Sequence, residues 1–384
     1  MINKILFSIF LINFINAELP LFKKFPTLKD KIAYVSFCDL PTPTHKLEKL
    51  CKHLDHQNIY IKRDDLSGLR LKDATHLFGG NKPRKLEFLL ADAQKQNAKT
   101  IVTYGCAGSN HALATAVYAN HLGLNSILML KSQPNSKAVR HNLLLDKFYN
   151  AQFQFYPNNQ VRSVAAQKLL SQDNTAYFFP TGGSIALGAV AFVNAIFELK
   201  EQIDNAVMPE PDVIYLPINS CGTTAGLLLG IKAAQLKTKI IAVAVEPEEV
   251  KDQFENETKK LFLETNTLLN SLDKNFGMFA FPETRFNVNK KFCGVEYGLF
   301  TKEAVEAKKT FKQLEGIALD GTYSSKAMVA LMDDVRNNKK TVVLFWNTYC
   351  GIDYSNLTNS VDYKELPEEF HKYYCQDVQE LDKN

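Results

Sequence analysis

The stretch FGGNKPRKLEF (78–88) places Lys82 directly after a glycine pair and Asn81, in front of a helix-like run. A lysine amine can act as a covalent catalyst when burial or neighbouring cations lower its pKa. Arg84 and Lys85 lie next to it in the chain. Most lysines are solvated surface charges, so the residue types alone leave both interpretations of Lys82 open.

Three glycine-rich turns have the composition of loops that bind a polar ligand through backbone amides. They are NSCGTTAGLLLG (219–230), GCAGSNHALATA (105–116) and PTGGSIALGAVAF (180–192). Amides and hydroxyls at a helix start can hold a phosphate or a carboxylate. A single turn of this kind is often only a helix cap, a role that Ser109 and Asn110 would also suit. Three such turns in one chain indicate a polar ligand.

Two tyrosines in glycine-flanked contexts are further candidates, Tyr297 in EYGL and Tyr323 in GTYSSKAM. A tyrosine hydroxyl can move a proton at an active site. A half-buried packing role with a bonded hydroxyl is more frequent, and it stays open for both residues.

The composition excludes several classes of function. The 384 residues carry a formal charge of +4 without a dense basic run, so neither nucleic acid nor an anionic membrane is an expected partner. The seven cysteines form no CxxC pair, and no Cys/His cluster has the spacing of zinc ligands. We therefore expect separate reduced thiols and no metal site.

The N-terminal segment MINKILFSIFLINFINA (1–17) has the layout of a secretory signal peptide. Lys4 precedes an apolar run from Ile5 to Ile15, and the small residue Ala17 follows where a signal peptidase could cut. The run is too short to span a bilayer, so no stable membrane insertion of the mature chain is expected. We predict export to the periplasm or the medium; the alternative is a hydrophobic extension that packs on a cytoplasmic protein.

Short apolar runs alternate with helical segments along the chain. The runs predicted as strands are IVTY (101–104), SILML (126–130), AQFQFY (151–156), AYFFP (176–180), DVIYLPI (212–218), KIIAVAVEP (239–247) and TVVLFW (341–346). The alternation predicts an α/β fold with parallel strands covered on both faces, and the length indicates two domains. Ligands bind beyond the carboxyl ends of such strands. The segment 250–292 has little pattern and is predicted as a surface helix followed by a long loop.

Taken together, these stretches resemble the fold-type II pyridoxal-phosphate (PLP) enzymes, and among them the group of 1-aminocyclopropane-1-carboxylate (ACC) deaminase and D-cysteine desulfhydrase. The resemblance runs in order from about residue 25 to 350, and GGNKPRKLE is its most specific part. The other matching stretches are LPTPTHKLEKL, IYIKRDDLSGL, GSNHALATA, PTGGSIALGA, NSCGTTAGL, EYGLFTKEA, LEGIALDGTYSSKAM and VVLFWNT.

The resemblance implies a fold of the tryptophan-synthase-β type, with two three-layer α/β domains, parallel-rich twisted sheets and the cofactor in the cleft between them. Residues 84–185 would form a smaller domain inserted into a larger PLP-binding domain made of 18–83 and 186–384. A homodimer and a small amino-acid substrate are further implications.

The resemblance also implies roles for single residues. Lys82 would carry PLP on its amine and later move a proton at the substrate α-carbon, with Ser109 nearby. Tyr297 and Tyr323 would border the substrate and tune proton transfers. The residues implied to hold the cofactor, besides Lys82, are Asn81, Gly222, Thr223, Thr224, Ala225, Gly226, Ser324 and Thr348, and those implied to receive the substrate carboxylate are Ser109, Asn110 and His111.

Ser324 differs from the motif of the deaminases that this chain resembles. That motif has a glutamate directly after the tyrosine that matches Tyr323. A carboxylate there would keep the pyridine nitrogen of PLP protonated, which the opening of a cyclopropane ring demands. Hydroxyls from Ser324 and Thr348 suit a simpler reaction, so the predicted activity is β-elimination from D-cysteine to pyruvate, ammonia and sulfide. The alternatives are ACC deaminase, which yields 2-oxobutyrate and ammonia, an enzyme acting on another small D-amino acid, and a PLP-binding protein without turnover.

Three further departures concern the surroundings of the site. Gly108 stands where the family usually has a larger residue such as glutamine, and Tyr349 and Cys350 replace a glycine pair. An insertion, RLKDATHLF (70–78), separates SGL from GGNK. These differences bear on the identity of the substrate.

Overall fold

The computed structural model describes residues 18–71, 75–336 and 339–383, and among these the strands form two sheets. The signal peptide predicted over 1–17 lies outside the described residues and stays a prediction. All seven cysteines are free thiols, as expected. No helix in the described ranges is long and apolar enough to cross a membrane.

The larger sheet has six strands. Numbered in chain order, they are β1 (Thr44–Lys46), β2 (Ile59–Lys62), β7 (Val213–Ile218), β8 (Lys239–Ala244), β9 (Phe286–Asn289) and β10 (Val343–Trp346). Their spatial order is β1-β2-β10-β7-β8-β9, and every neighbouring pair is parallel except β1 with β2.

The smaller sheet has four strands, all parallel to their neighbours. They are β3 (Thr100–Cys106), β4 (Asn125–Lys131), β5 (Gln152–Phe155) and β6 (Ala176–Phe179), in the spatial order β5-β4-β3-β6. All seven apolar runs predicted as strands are therefore strands.

Helices cover both sheets. They are α1 (Pro20–Lys24), α2 (Pro26–Lys31), α3 (Glu48–His53), α4 (Lys82–Lys95), α5 (Asn110–His121), α6 (Lys137–Phe148), α7 (Asn159–Gln172), α8 (Ala186–Asp204), α9 (Gly222–Ala233), α10 (Gln253–Leu272), α11 (Lys302–Glu315), α12 (Ser324–Val335), α13 (Ser355–Thr358) and α14 (Glu368–Cys375). Ser109, Ser136, Asn158 and Thr301 begin α5, α6, α7 and α11 by accepting a bond from an amide of the first turn.

The strands bury apolar side chains on both faces. In β7, Ile214 and Leu216 pack with α8, α9 and α10, whereas Val213 and Tyr215 pack on the opposite side with α11 and α12. Because successive side chains of a strand point to opposite faces, a continuous apolar run fits a parallel strand between two helix layers. In the smaller sheet, Met129 of β4 packs with α7 on one face, and Leu130 packs with α5 and α6 on the other. The predicted fold of two three-layer α/β units is confirmed.

One predicted segment differs from the structure. The surface helix expected within 250–292 is α10, but Phe286–Asn289 is not part of a loop. It forms β9 and pairs with β8 at the edge of the larger sheet. The four residues FNVN are too short a pattern to distinguish a strand from a loop, so tertiary pairing decides their structure.

The C-terminal segment packs against the smaller sheet. The Phe370 ring of α14 lies 5.5 Å from that of Phe153 and 6.0 Å from that of Phe155, measured between centroids. This segment belongs to the range 186–384 that was predicted for the larger domain. The domain boundaries themselves stay a prediction.

A buried cluster of charged side chains holds the start of α4. The Arg84 guanidinium donates to Asp64 at 2.7 Å and to Glu198 at 2.9 Å, and Lys62 donates to Glu198 at 2.6 Å. All four side chains are at most 3% exposed. Trp346 of β10 adds an indole N–H bond to Asp64 at 2.7 Å. The cluster thus ties α4 to α8 and to two strands of the larger sheet.

The charges of this cluster predict the effect of removing one of them. Burial opposes ionisation of Glu198, but Arg84 and Lys62 lower its pKa from 4.5 to about 2. In Glu198→Gln two buried cations lose their shared partner, so we expect a loss of about 3–5 kcal/mol in the free energy of unfolding, measured in urea. Glu201 on the same helix pairs with Lys23 in solvent, so Glu201→Gln should cost at most about 1 kcal/mol.

The pH dependence of that loss has a definite sign. A carboxylate with a lowered pKa stabilises the fold above its unfolded pKa and ceases to do so as the pH falls through its folded pKa. The difference between wild type and Glu198→Gln should therefore be full above about pH 4.5 and shrink towards pH 2. Equal costs for Glu198→Gln and Glu201→Gln at neutral pH would contradict this account.

Candidate active site

A cleft of about 830 Å³ lies at the carboxyl ends of β3, β7 and β10. The predicted site residues that line it are Asn81, Lys82, Ser109, Asn110, His111, Thr223, Thr224, Tyr297, Tyr323 and Thr348. Four others lie buried and are not among the lining residues: Gly222, Ala225, Gly226 and Ser324. The structure thus brings together residues that are up to 267 positions apart in the chain, from Asn81 to Thr348.

Lys82 is the first residue of α4, and a tight turn delivers it to the cleft. Gly80 has a φ of +89°, a conformation that favours glycine, and the Asn81 amide donates to the Thr348 carbonyl at 3.1 Å. Burial lowers the pKa of the Lys82 amine to about 8, although the Asp320 carboxylate opposes this shift. About half of the Lys82 amines are therefore neutral, and so nucleophilic, near pH 8.

The turn before α9 is built to hold an anion. Cys221 has a left-handed φ of +62°, and the amides of Thr223 and Thr224 in the first helical turn donate to no group among the described residues. A Cβ atom on Gly222 would lie 2.9 Å from Nζ of Lys85 and 2.7 Å from Oγ of Ser184. Unused amides, a hydroxyl and a lysine amine therefore converge at this helix N-terminus.

Lys85 places its amine at this anion site. It donates to the Gly182 carbonyl at 3.0 Å and to the Ser184 hydroxyl at 3.2 Å. Burial and, second, the charge of Lys82 hold the pKa of Lys85 well below its usual value. A bound phosphate would offset both effects.

These groups fit PLP. Lys82 offers an amine for its aldehyde carbon, and the turn of Thr223 and Thr224 with Lys85 offers an anion site for its phosphate. Asn81 joins the two parts, because its side-chain amide donates to the Thr223 hydroxyl at 3.1 Å. Thr348 lines the cleft with a neutral hydroxyl.

The turn before α5 presents amides rather than an imidazole. Ser109 caps the helix by accepting from the Ala112 amide at 3.2 Å. The Thr103 hydroxyl donates to the Phe179 carbonyl, so Nε2 of His111, 2.9 Å from that hydroxyl, must be the donor between them. Burial, Lys82 and Lys85 hold the pKa of His111 well below its usual value, which leaves Nδ1 without a proton. A carboxylate bound here would therefore meet backbone amides of the first turn and not the His111 ring.

Tyr297 and Tyr323 form a pair in the cleft. Their hydroxyl oxygens are 2.6 Å apart and their ring centroids 6.0 Å apart. Burial raises the pKa of both phenols, so both are protonated at neutral pH. One hydroxyl donates to the other, and the pair can pass a proton along that bond.

Asp320 is a cleft residue that the sequence reasoning missed. Its carboxylate accepts from the Thr322, Tyr323 and Ser324 amides at 3.0, 2.7 and 2.8 Å, and from the Ser324 hydroxyl at 2.6 Å. The stretch ALDGTYSS contains a signal, because an aspartate just before a helix, here α12, is a common cap. The Ser324 hydroxyl is thus held by Asp320 and is fully buried.

The pKa of Lys82 predicts how pH affects attachment of PLP to the chain without cofactor. Only the neutral amine attacks, so the rate of loading should rise with pH and reach half of its increase near pH 8, followed as the growth of visible absorbance. Asp320→Asn removes the charge that raises this pKa, so its midpoint should move to lower pH. The control Asp333→Asn, at a partly exposed position of α12 where the carboxylate pairs with Lys291, should leave the midpoint unchanged. A midpoint near 10.5, the ordinary value, would contradict the buried placement of the amine.

Comparison with known proteins agrees with this geometry. Residues 35–348 match the family model described as pyridoxal-phosphate dependent enzyme. A D-cysteine desulfhydrase of Yersinia pestis is 34% identical over 337 residues, which are 84% of this chain and 96% of that protein. One of Serratia proteamaculans is 34% identical over 325 residues, 81% of this chain and 92% of that protein.

A solved structure is also similar. The crystal structure of an ACC deaminase homologue superimposes with a TM-score of 0.72 at 27% identity, covering 90% of this chain and 99% of that one. The family match spans most of the chain and includes Lys82, the anion site and Thr348. The chain therefore belongs to the family of pyridoxal-phosphate dependent enzymes.

Proposed function

We propose that this chain is a PLP-dependent deaminating lyase that converts D-cysteine and water to pyruvate, ammonia and hydrogen sulfide. The observation that carries the proposal is the state of the Asp320 carboxylate, which accepts four bonds from protein donors. A carboxylate has about four acceptor sites, so Asp320 has none left for a ligand.

This saturation matters because of Ser324. The resemblance places a glutamate of the deaminases at this position, and here a hydroxyl stands there with Asp320 as its acceptor. Neither residue offers a free carboxylate to a pyridine nitrogen. Thr348, which lines the cleft, offers a neutral hydroxyl instead.

The reaction must suit such a neutral environment. PLP, when bound, supplies the sink for the electrons released at the α-carbon. A ring nitrogen that faces a neutral hydroxyl makes this sink weaker. Loss of a thiolate from the β-carbon demands less of the sink than opening a cyclopropane ring, which favours β-elimination.

The residues of the cleft have defined tasks in this reaction. The Lys82 amine, with its pKa lowered to about 8, removes the proton from the α-carbon. The paired phenols of Tyr297 and Tyr323 remain protonated at neutral pH and give a proton to the departing sulfur. The amides that begin α5 orient the substrate through its carboxylate.

ACC deaminase activity is the second candidate. It is favoured by the similarity to the crystal structure of an ACC deaminase homologue, whereas two of the compared relatives carry the name D-cysteine desulfhydrase. The two reactions share proton removal by Lys82 and differ in the bond that breaks. Ser324 is the residue that weighs against ring opening.

A substrate panel tests the proposal. The protein loaded with PLP is incubated with D-cysteine, L-cysteine and ACC, and sulfide and 2-oxobutyrate are measured. We expect sulfide from D-cysteine and at least about a hundredfold less 2-oxobutyrate from ACC, with both activities absent in Lys82→Ala. Release of 2-oxobutyrate without sulfide would establish the second candidate, and turnover of neither substrate would indicate a PLP-binding protein without this activity.

A homodimer and export are part of the proposal as well. The support for the dimer is the resemblance to the family, and light scattering should give twice the mass of the chain that is measured, which is 43.3 kDa with residues 1–17 included. The support for export is the pattern of 1–17, and sequencing of the mature N-terminus should start after Ala17. A measured mass equal to one chain would contradict the dimer. A mature protein that starts at Met1 would contradict export.

A further inference from the structure

Gln133 lies in the turn after β4 and lines the cleft beside Gly108. Its Oε1 accepts a bond from the Gly108 amide at 2.9 Å. Because a backbone N–H can only donate, this bond fixes the orientation of the side-chain amide. Nε2 is left with two N–H groups that find no acceptor among the described residues.

The position of Nε2 follows from the two glycines around it. A Cβ atom on Gly108 would lie 3.0 Å from Nε2, and one on Gly298 would lie 3.6 Å from it. Gly108 precedes Ser109, and Gly298 follows Tyr297. The free donors of Gln133 are therefore located between the turn that begins α5 and the loop that carries the tyrosine pair.

Gln133 and the glycine at 108 depend on each other. A Cβ at position 108 would also come within 2.7 Å of Cγ2 of Val139. A larger residue at 108 would therefore displace the Gln133 amide or the start of α6. The side-chain amide at this part of the cleft belongs to Gln133, on the turn after β4. It has room there because residue 108 is a glycine and has no side chain.

The C-terminal segment holds Gln133 in place. The Tyr373 hydroxyl bonds to the backbone of Gln133: it accepts from the backbone N–H at 3.1 Å and lies 3.3 Å from the backbone carbonyl oxygen. Gln379 donates from its backbone to the Asn135 carbonyl at 2.9 Å, and its side chain donates to the Gly298 carbonyl at 3.0 Å. These anchors lie beyond residue 348, where the family match ends.

We propose that Gln133 is a substrate-binding residue that recognises the carboxylate of the amino acid through Nε2. A bond from this amide to a carboxylate is charge-assisted and stronger than a neutral one. It would select α-amino acids over amines of the same length that lack the carboxylate. Tyr373 is a positioning residue, because it acts only by holding the Gln133 backbone. The nature of the substrate rests on the proposed function.

Binding of two matched ligands tests this role without turnover. D-Serine and ethanolamine share the amine and the hydroxyl and differ by the carboxylate. Each is titrated against wild type and Gln133→Ala, both loaded with PLP, and the change in the visible absorbance gives Kd. We expect Gln133→Ala to weaken D-serine binding about tenfold or more and ethanolamine binding less than twofold.

Three further variants sharpen the result. Gln133→Glu places a negative charge against the carboxylate and should weaken D-serine binding more than Gln133→Ala does. Tyr373→Phe should have a smaller effect in the same direction. Gln172→Ala, at the exposed end of α7, serves as the control and should change neither Kd. The affinity of each chain for PLP itself should stay within about twofold of wild type.

The possible outcomes distinguish the role of Gln133 from the proposed lyase activity. Equal weakening of both ligands by Gln133→Ala, or no weakening, would contradict the role of Gln133 and leave the proposed lyase activity standing. The expected pattern in a protein that releases no sulfide from D-cysteine would support Gln133 and contradict the proposed activity. A wild type that responds to neither ligand would contradict both.

Discussion

The placement of Lys82 depends on a buried group of charges whose residues are not among those that line the cleft. Arg84, two residues further along α4, is held by Asp64 and Glu198, and Lys62 shares Glu198 with it. Breaking a buried pair by removing one partner leaves an uncompensated charge, so this arrangement tolerates little movement. The Asp64 carbonyl also accepts from the Gly80 amide at 2.9 Å, so the turn that carries Lys82 is fixed from the same residue.

Because the start of α4 is held in place, the surroundings of the cleft determine the pKa of the Lys82 amine. Burial makes the Lys82 amine easier to deprotonate, and Asp320 limits the shift from the other side of the cleft. The Asp320 carboxylate in turn accepts hydrogen bonds from the start of α12 and from the Ser324 hydroxyl. Asp320 therefore influences the amine that would hold the cofactor, and its bonds leave no free carboxylate next to Ser324.

Much of this site could be predicted from sequence because its parts lie in short, contiguous patterns. The turn before α9 combines glycine with polar residues directly after a strand, and the turn around Lys82 combines them in front of a helix. Such local patterns can be read without knowledge of the fold. Asp320 was missed because an aspartate before a helix has an ordinary structural explanation. The orientation of His111 depends on Thr103 and Phe179, whose contact exists only after β3 and β6 pair.

Contacts across the sequence were the least predictable part. Gln133 and Gly108 are 25 positions apart and meet because β3 and β4 are neighbours, and Tyr373 joins them from 240 positions away. No local pattern in SQPN or in the segment EEFHKYYC reports such a meeting. β9 is a similar case, because the pairing partner and not the four residues determines the strand.

Lys82 is the amine to which PLP should be attached, and this attachment can be located directly. The protein loaded with PLP is reduced with borohydride, digested and mapped by mass spectrometry, which locates the covalently attached cofactor. We expect a single modified peptide that contains Lys82, at a stoichiometry of about one per chain. Attachment at Lys85 or at another lysine, with Lys82 unmodified, would contradict the central claim.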